Sequence, residues 1–177
     1  MAKKLDPSTK RARIPNKVIP INEGPEAVRA SLDDTDLAIL RALQANARAT
    51  FTEIGRAVGL SAPSVHERVH RLEQRGVVRA YRAEVDPDLL GLGVLSLVSV
   101  LPGDAANAGA MSEVFAGIDE IEAAYTVAGE ESHVLVVRTR SMAELSEVLQ
   151  RLRDVDGVAR TRTAVVLSVP FQRGPKL

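Results

Sequence analysis

The chain has 177 residues, 45% of them hydrophobic, and its 23 Lys/Arg balance 23 Asp/Glu. That allows one or two domains with real cores and gives no global field toward nucleic acid. With no cysteine, disulfide frameworks, Cys-based zinc sites and thiol nucleophiles are excluded.

Charge is unevenly placed along the chain. Residues 1–30 hold seven Lys/Arg against three acids, residues 31–86 eight against eight, and residues 87–177 eight against twelve. The net of +4 at one end and −4 at the other predicts separate jobs, with any DNA-facing charge in the first half. The opening MAKKLDPSTKRAR has no apolar core of a secretory leader. The longest apolar run, Val94–Leu101, is too short to span a bilayer, so a cytoplasmic protein is expected.

Residues 1–30 mix Lys, Arg, Pro, Asn and Gly without periodicity and read as a flexible basic arm. It is either a solubilising tail or a phosphate-touching arm through Lys10, Arg11, Arg13 and Lys17. Residues 31–76 are the first predicted domain. Asp33 caps a helix over Asp34–Asn46, Leu32 and Leu37 are placed as a hydrophobic staple, and Asp34 and Asp36 suit the positive end of the helix dipole. Ile39, Leu40, Leu43 and Ala47 are its predicted buried face.

Thr50 and Glu53 have the spacing of a capping box, so a second helix begins near Phe51, with Ile54, Ala57 and Val58 as its apolar stripe and Gly59 as its left-handed end. Ser61 caps a third helix that carries Pro63 in its first turn, runs to Arg75 and stops at Gly76. Val65, Val69 and Leu72 fall on one narrow face and point inward. The opposite face carries Pro63, Ser64, Glu67, His70, Arg71 and Gln74, with His66, Arg68 and Arg75 on the flanks. Helix, glycine-containing turn, and helix with a polar, basic outer face is the plan of a DNA-reading helix-turn-helix; the competing reading is a solvated amphipathic helix.

Val77–Val85 alternates loosely and is predicted as a strand within a linker over 77–90, and Asp86-Pro87-Asp88 is a turn signal. Over 91–170 the predicted order is strand Val94–Leu101, helix Ala105–Ala116, strand Ile121–Ala128, turn Gly129–Ser132, strand His133–Arg138, helix Ser141–Arg153 and strand Val158–Val169, with a tail over 171–177. This βαββαβ order is that of ferredoxin-like domains. The fold class is therefore α+β, an N-terminal (winged) helix-turn-helix domain plus a C-terminal ferredoxin-like domain. The first and third strands are apolar on both faces, as central strands are, whereas Glu122, Arg160 and Arg162 suit edges. Two helices cover only one face of such a sheet. Leaving the other wet would forfeit roughly 1.5–3 kcal/mol per Val or Leu, so a second copy is expected to cover it in a two-fold dimer.

The segments LDDTDLAILRALQANARAT, GLSAPSVHERVHRLEQRGVVRAY, YTVAGEESHVLVVR and VARTRTAVV, in this order, resemble the Lrp/AsnC (feast/famine) family of transcriptional regulators over about residues 32–170. The resemblance implies a DNA-binding first domain and an amino-acid-sensing second domain. It also implies dimers that associate into tetramers or octamers and effectors bound where dimers meet. The family's loop between the second and third strands reads Gly, two variable residues, then Asp; here it is Gly129-Glu130-Glu131-Ser132, so Ser132 stands where the acid is expected.

On this reading the third helix enters the major groove of pseudo-palindromic DNA. Ser64, Glu67, His70 and Arg71 are candidates for base edges, with Ser61 and Pro63 at the helix start, and Arg68, Arg75 and Arg79 for phosphates. An amino-acid effector needs N–H donors for its carboxylate and acceptors for its ammonium. Gly129 and the amides beside it, with Ala128, suit the first; Glu130 and Glu131 suit the second. Tyr125, Val127, Ser132, Thr161 and Thr163 complete the candidate pocket, against the alternative of a plain hairpin turn. His133 reads as structural, since no second His or Cys lies nearby to complete a metal site. No cofactor and no enzymatic role are expected. Rival readings are a siroheme-decarboxylase-like enzyme of the same fold, which would leave the basic helix unexplained, and a DNA-architecture protein without an effector.

Overall fold

A computed structural model describes residues 32–103 and 107–177; the arm over 1–30 lies outside them. The described residues fall into two compact units. One runs up to Ala83 and takes in Arg173–Leu177; the other is Glu84–Gln172.

The first unit is three helices, α1 (Asp34–Ala45), α2 (Phe51–Val58) and α3 (Ala62–Gln74). Each starts on a side-chain cap. Asp33 and Asp36 form a capping box on α1, Thr50 and Glu53 form one on α2, and Ser61 accepts from the Ser64 amide on α3. The carboxylate of Glu53 is held below its ordinary pKa by hydrogen bonds from Thr50. Ile39, Leu40 and Leu43 from α1, Ile54 from α2, and Val65, Val69 and Leu72 from α3 form one core. Ala47, predicted on the buried face, lies beyond the end of α1 and is exposed.

The α2–α3 turn depends on two glycines. Gly59 takes φ 73° at the end of α2, a conformation open to glycine without penalty. Gly55 lies so close to the turn that an added Cβ would run into the Leu60 carbonyl, a backbone atom that cannot swing aside. Alanine in a helix interior is ordinarily worth about 1 kcal/mol over glycine. Overpacking of about 1–3 kcal/mol opposes that gain here. Gly55→Ala is therefore expected to lower the melting temperature of this unit, as hydrogen exchange of the α2 and α3 amides on heating would show.

The predicted strand over Val77–Val85 is not formed. Val77 and Val78 donate to the Leu72 carbonyl at 2.9 and 3.2 Å, closing α3, and residues 79–86 take no regular secondary structure. Alternation alone does not make a strand, or a wing built on it, since either needs an edge to pair with.

The second unit has β1 (Val94–Pro102), α4 (Ala108–Phe115), β2 (Ile121–Thr126), β3 (His133–Thr139), α5 (Met142–Arg153) and β4 (Val158–Val165), after a short 3-10 turn at Asp88–Leu90. The sheet order is β2-β3-β1-β4, antiparallel throughout, so the two strands apolar on both faces are the central pair. β2 and β4 are shorter than predicted. α4 starts at its Asn107 cap, whereas its predicted start at Ala105 falls outside the described residues.

Val98 and Val100 of β1 and Leu135 and Val137 of β3 pack under Met111, Phe115, Leu145, Val148 and Leu152 of the helices. The alternate residues face the other way. Ala123, Val136, Leu97 and Ala164 are register partners in one apolar row across all four strands. Leu97 is 42% and Tyr125 58% exposed on that open face.

Candidate nucleic-acid interface and effector loop

The cap at Ser61 and the burial of Val65, Val69 and Leu72 fix which way α3 faces. Pro63, Glu67, His70, Arg71, Gln74 and Arg75 are exposed, Ser64 partly so, and Arg79 is exposed on the segment that follows. Ser61 and Ser64 join their hydroxyls at 2.8 Å beside the first turn of α3, where free N–H groups favour an anion.

The two flanks of α3 differ in chemistry. On one, Arg68, Arg71 and Arg75 line a cleft with Asp33 and Asp36 at the start of α1. On the other, Phe51 meets His66 edge-on at 5.2 Å, and the His66 and His70 rings lie parallel at 6.3 Å. The side-chain amide of Gln74 contacts His70 Nε2 at 2.9 Å. Neither Phe51 nor this ring ladder stood out in the sequence, although His66 and His70 are four residues apart and so share a flank.

Arg68 requires a correction. Its Nη1 lies 2.7 Å from Asp33 and 2.7 Å from Asp36, so the guanidinium assigned to phosphate is committed to the start of α1. The hydrogen bond from Arg68 holds the Asp33 carboxyl below its ordinary pKa, and the two carboxylates raise that of Arg68. It ties α3 to the start of α1. Tyr81 makes a second brace, its hydroxyl donating to Glu73 at 2.8 Å. Burial and the neighbouring Glu73 carboxylate push its pKa up to about 12.

In the second unit the loop between β2 and β3 carries the other candidate residues. Gly129 has φ 155°, in the region L side chains rarely adopt. Ala128, Gly129 and Glu130 are exposed, and Val127 is partly so. Glu131 is paired with Arg162 of β4 at 3.5 Å. Ser132 is turned inward: its N–H donates to the Val100 carbonyl at 2.9 Å and its carbonyl accepts from Val127 at 3.1 Å.

Strand parity also divides the proposed pocket. Tyr125, Val134, Ser99 and Arg162 are register partners on the open face. Thr161 and Thr163 pair with Val100 and Val98, on the helix-covered side. The sheet therefore separates the two threonines from Tyr125 and Glu131, and Arg162 takes their place beside the loop. The sequence held the signal, since arginines at 160 and 162 cannot sit under helices and so force the threonines there.

Among the described residues no group of three or more His, Asp or Glu side chains is placed to hold a metal ion, and no helix is long and apolar enough to cross a membrane.

Comparison with known proteins gives the two units separate matches. Residues 32–73 match the AsnC-type helix-turn-helix domain, and residues 94–175 match the Lrp/AsnC ligand binding domain. The HTH-type transcriptional regulator LrpA of Mycobacterium tuberculosis is 41% identical over 138 residues, 78% of this chain and 91% of that protein. Two similar solved structures hold an amino acid. A feast or famine regulatory protein of M. tuberculosis complexed with L-methionine is 41% identical, with TM-score 0.74 over 80% of this chain and 96% of that one. A Neisseria meningitidis transcriptional regulator in complex with L-methionine is 29% identical, with TM-score 0.76 over 81% and 94%.

Proposed function

Since the chain belongs to the Lrp/AsnC family of DNA-binding transcriptional regulators, we propose that it reads pseudo-palindromic DNA through α3, as a homodimer whose assembly or DNA affinity responds to an amino acid. The relatives are named as regulators; the chain is a regulator and not an enzyme. A cytoplasmic location goes with that reading.

The observation that carries the DNA reading is the division of α3. Val65, Val69 and Leu72 are buried, while Glu67, His70 and Arg71 project from the far side. Arg71 can pair bidentately with guanine and Glu67 can accept from cytosine. Arg75, Arg79 and the amides after Ser61 hold phosphates.

Arg71→Ala is expected to cost about 1–3 kcal/mol on the preferred sequence and to relax sequence preference. Arg79→Ala is expected to weaken all sequences alike and to flatten the salt slope by about one. Salt-varied binding to specific and competitor DNA separates the two, and equal behaviour of the variants would contradict the assignment.

The effector reading draws on the loop Gly129–Ser132 and on the relatives solved with L-methionine. Backbone amides at Gly129 meet the carboxylate, and Glu130 and Glu131 meet the ammonium, with Tyr125 and Val127 beside them. The dimer reading draws on the apolar open face of the sheet. Association beyond the dimer, to a tetramer or octamer, follows from the family plan.

A further inference from the structure

His133 is the largest buried polar side chain among the described residues of the second unit, and the DNA and effector readings leave it unused. It is 0% exposed and lies edge-on to Phe115 at 5.2 Å, yet both ring nitrogens have partners. Nε2 is 2.9 Å from Ser112 Oγ and Nδ1 is 3.0 Å from Ser132 Oγ. A hydroxyl carries one proton, and that of Ser112 goes to the Ala108 carbonyl at 2.8 Å. With its hydroxyl on that carbonyl, Ser112 accepts from His133, and the ring carries its proton on Nε2. Nδ1 is then a bare lone pair, and the Ser132 hydroxyl is the group that donates to it. The other acceptor open to Ser132 is the Val100 carbonyl, more distant at 3.3 Å and already bonded to the Ser132 amide.

The opposite tautomer is the poorer arrangement. With the proton on Nδ1, Ser112 would turn its hydroxyl from the Ala108 carbonyl at 2.8 Å to Nε2, and Ser132 its own to the Val100 carbonyl at 3.3 Å, so a short buried bond is given up for a longer one. A charged ring is disfavoured as well, since burial holds the pKa of His133 below the ordinary 6.5. Ser112, Phe115 and the Ala108 carbonyl face the ring from α4, Val100 from β1 and Thr126 from β2. Among these neighbours none is charged.

We propose that His133 is the positioning residue of the Gly129–Ser132 loop, a neutral ring that takes the Ser132 hydroxyl on one side and donates to Ser112 on the other, tying the loop to the second turn of α4. This rests on the reading of that loop as the amino-acid site. Ser132 stands where the family pattern has an acid, and its hydroxyl is turned in to the ring rather than out to a ligand. The ammonium must then be met by Glu130 or Glu131, held in place by a loop whose last residue is anchored through side chain and backbone alike.

The test uses the full-length protein labelled with 15N-histidine. At neutral pH the His133 resonances are expected to report a proton on Nε2 and a bare Nδ1. Ser132→Ala removes one donor, and loss of one buried hydrogen bond should speed exchange of the loop amides about tenfold and weaken L-methionine binding in calorimetry about tenfold. His133→Asn, whose side-chain oxygen can stand in for Nδ1, should stay within about threefold of the native protein, whereas His133→Leu should behave like Ser132→Ala. If His133→Leu does not fold, Ser132→Ala carries the comparison. A proton on Nδ1 in the native protein, or native exchange rates in Ser132→Ala, overturns the proposal. Failure of the native protein to bind L-methionine, with tautomer and exchange as expected, sinks the amino-acid reading and leaves the positioning role standing.

Discussion

Arg68→Ala is expected to destabilise the N-terminal unit by about 2 kcal/mol while leaving the salt dependence of DNA binding unchanged. Arg68 Nη1 sits 2.7 Å from both Asp33 and Asp36, and the Asp36 side chain is only 9% exposed. Removing the guanidinium leaves a nearly buried carboxylate beside a second carboxylate with no cation between them. Breaking a fully buried pair costs about 3–5 kcal/mol, and the partial exposure of Arg68 and Asp33 discounts that figure.

The pH dependence has a definite sign. The Asp33 carboxyl is held below its usual value of 3.8, first by the hydrogen bond from Arg68. The stability it contributes is therefore present above that value and lost as pH falls through the lower folded one. Arg68→Ala should shrink this acid-side loss to the part that the Asp36 and Thr35 amides maintain. Urea unfolding, with hydrogen exchange in α1 and α3 as the local readout, measures both effects. A variant of native stability whose DNA salt slope falls by about one would return Arg68 to the phosphate role.

The contrast between Arg68 and Arg71 shows which facts a sequence carries. Caps are local: Asp33, Thr50 and Ser61 announce their helices because cap and helix are three residues apart. The inward face of α3 is legible for the same reason, through the 3.6-residue period of Val65, Val69 and Leu72. Arg68 meets Asp33 across 35 residues, a pairing set by how α3 crosses α1 and by nothing in the spacing. His133 and Ser112 are likewise 21 residues apart on different elements.

The effector loop falls between these cases. Its place between two strands follows from the pattern, and so does the parity of β4, once arginine is recognised as unable to lie under α4 and α5. The inward turn of Ser132 does not, because it depends on the Val100 carbonyl, 32 residues away in the chain. Val77–Val85 marks a different limit: a period of two alone does not make a strand, and pairing depends on an edge the segment itself does not supply.

Leu97→Asp should turn the protein into a folded monomer. In one chain Leu97 is 42% exposed, so an aspartate there would reach water, and the core of Val98, Val100, Leu135 and Val137 on the opposite side would be untouched. Leu97 also lies at the centre of the row Ala123–Val136–Leu97–Ala164, with Leu95 and Val134 in adjoining positions. If a second copy covers this face, two-fold symmetry brings two new carboxylates into one interface, where the neighbouring Arg138 and Arg162 are already paired with Glu122 and Glu131. At about 2 kcal/mol for each desolvated, unpaired group, the dimer would lose about 4 kcal/mol, about a thousandfold in its dissociation constant. Sedimentation at micromolar concentration should therefore give a monomer for Leu97→Asp and a dimer or larger for the native chain, with unchanged circular dichroism. Affinity for a two-half-site DNA should fall with the mass, while affinity for a single half-site should not. A variant that sediments as the native protein does would show that the open face is covered by something other than its own copy.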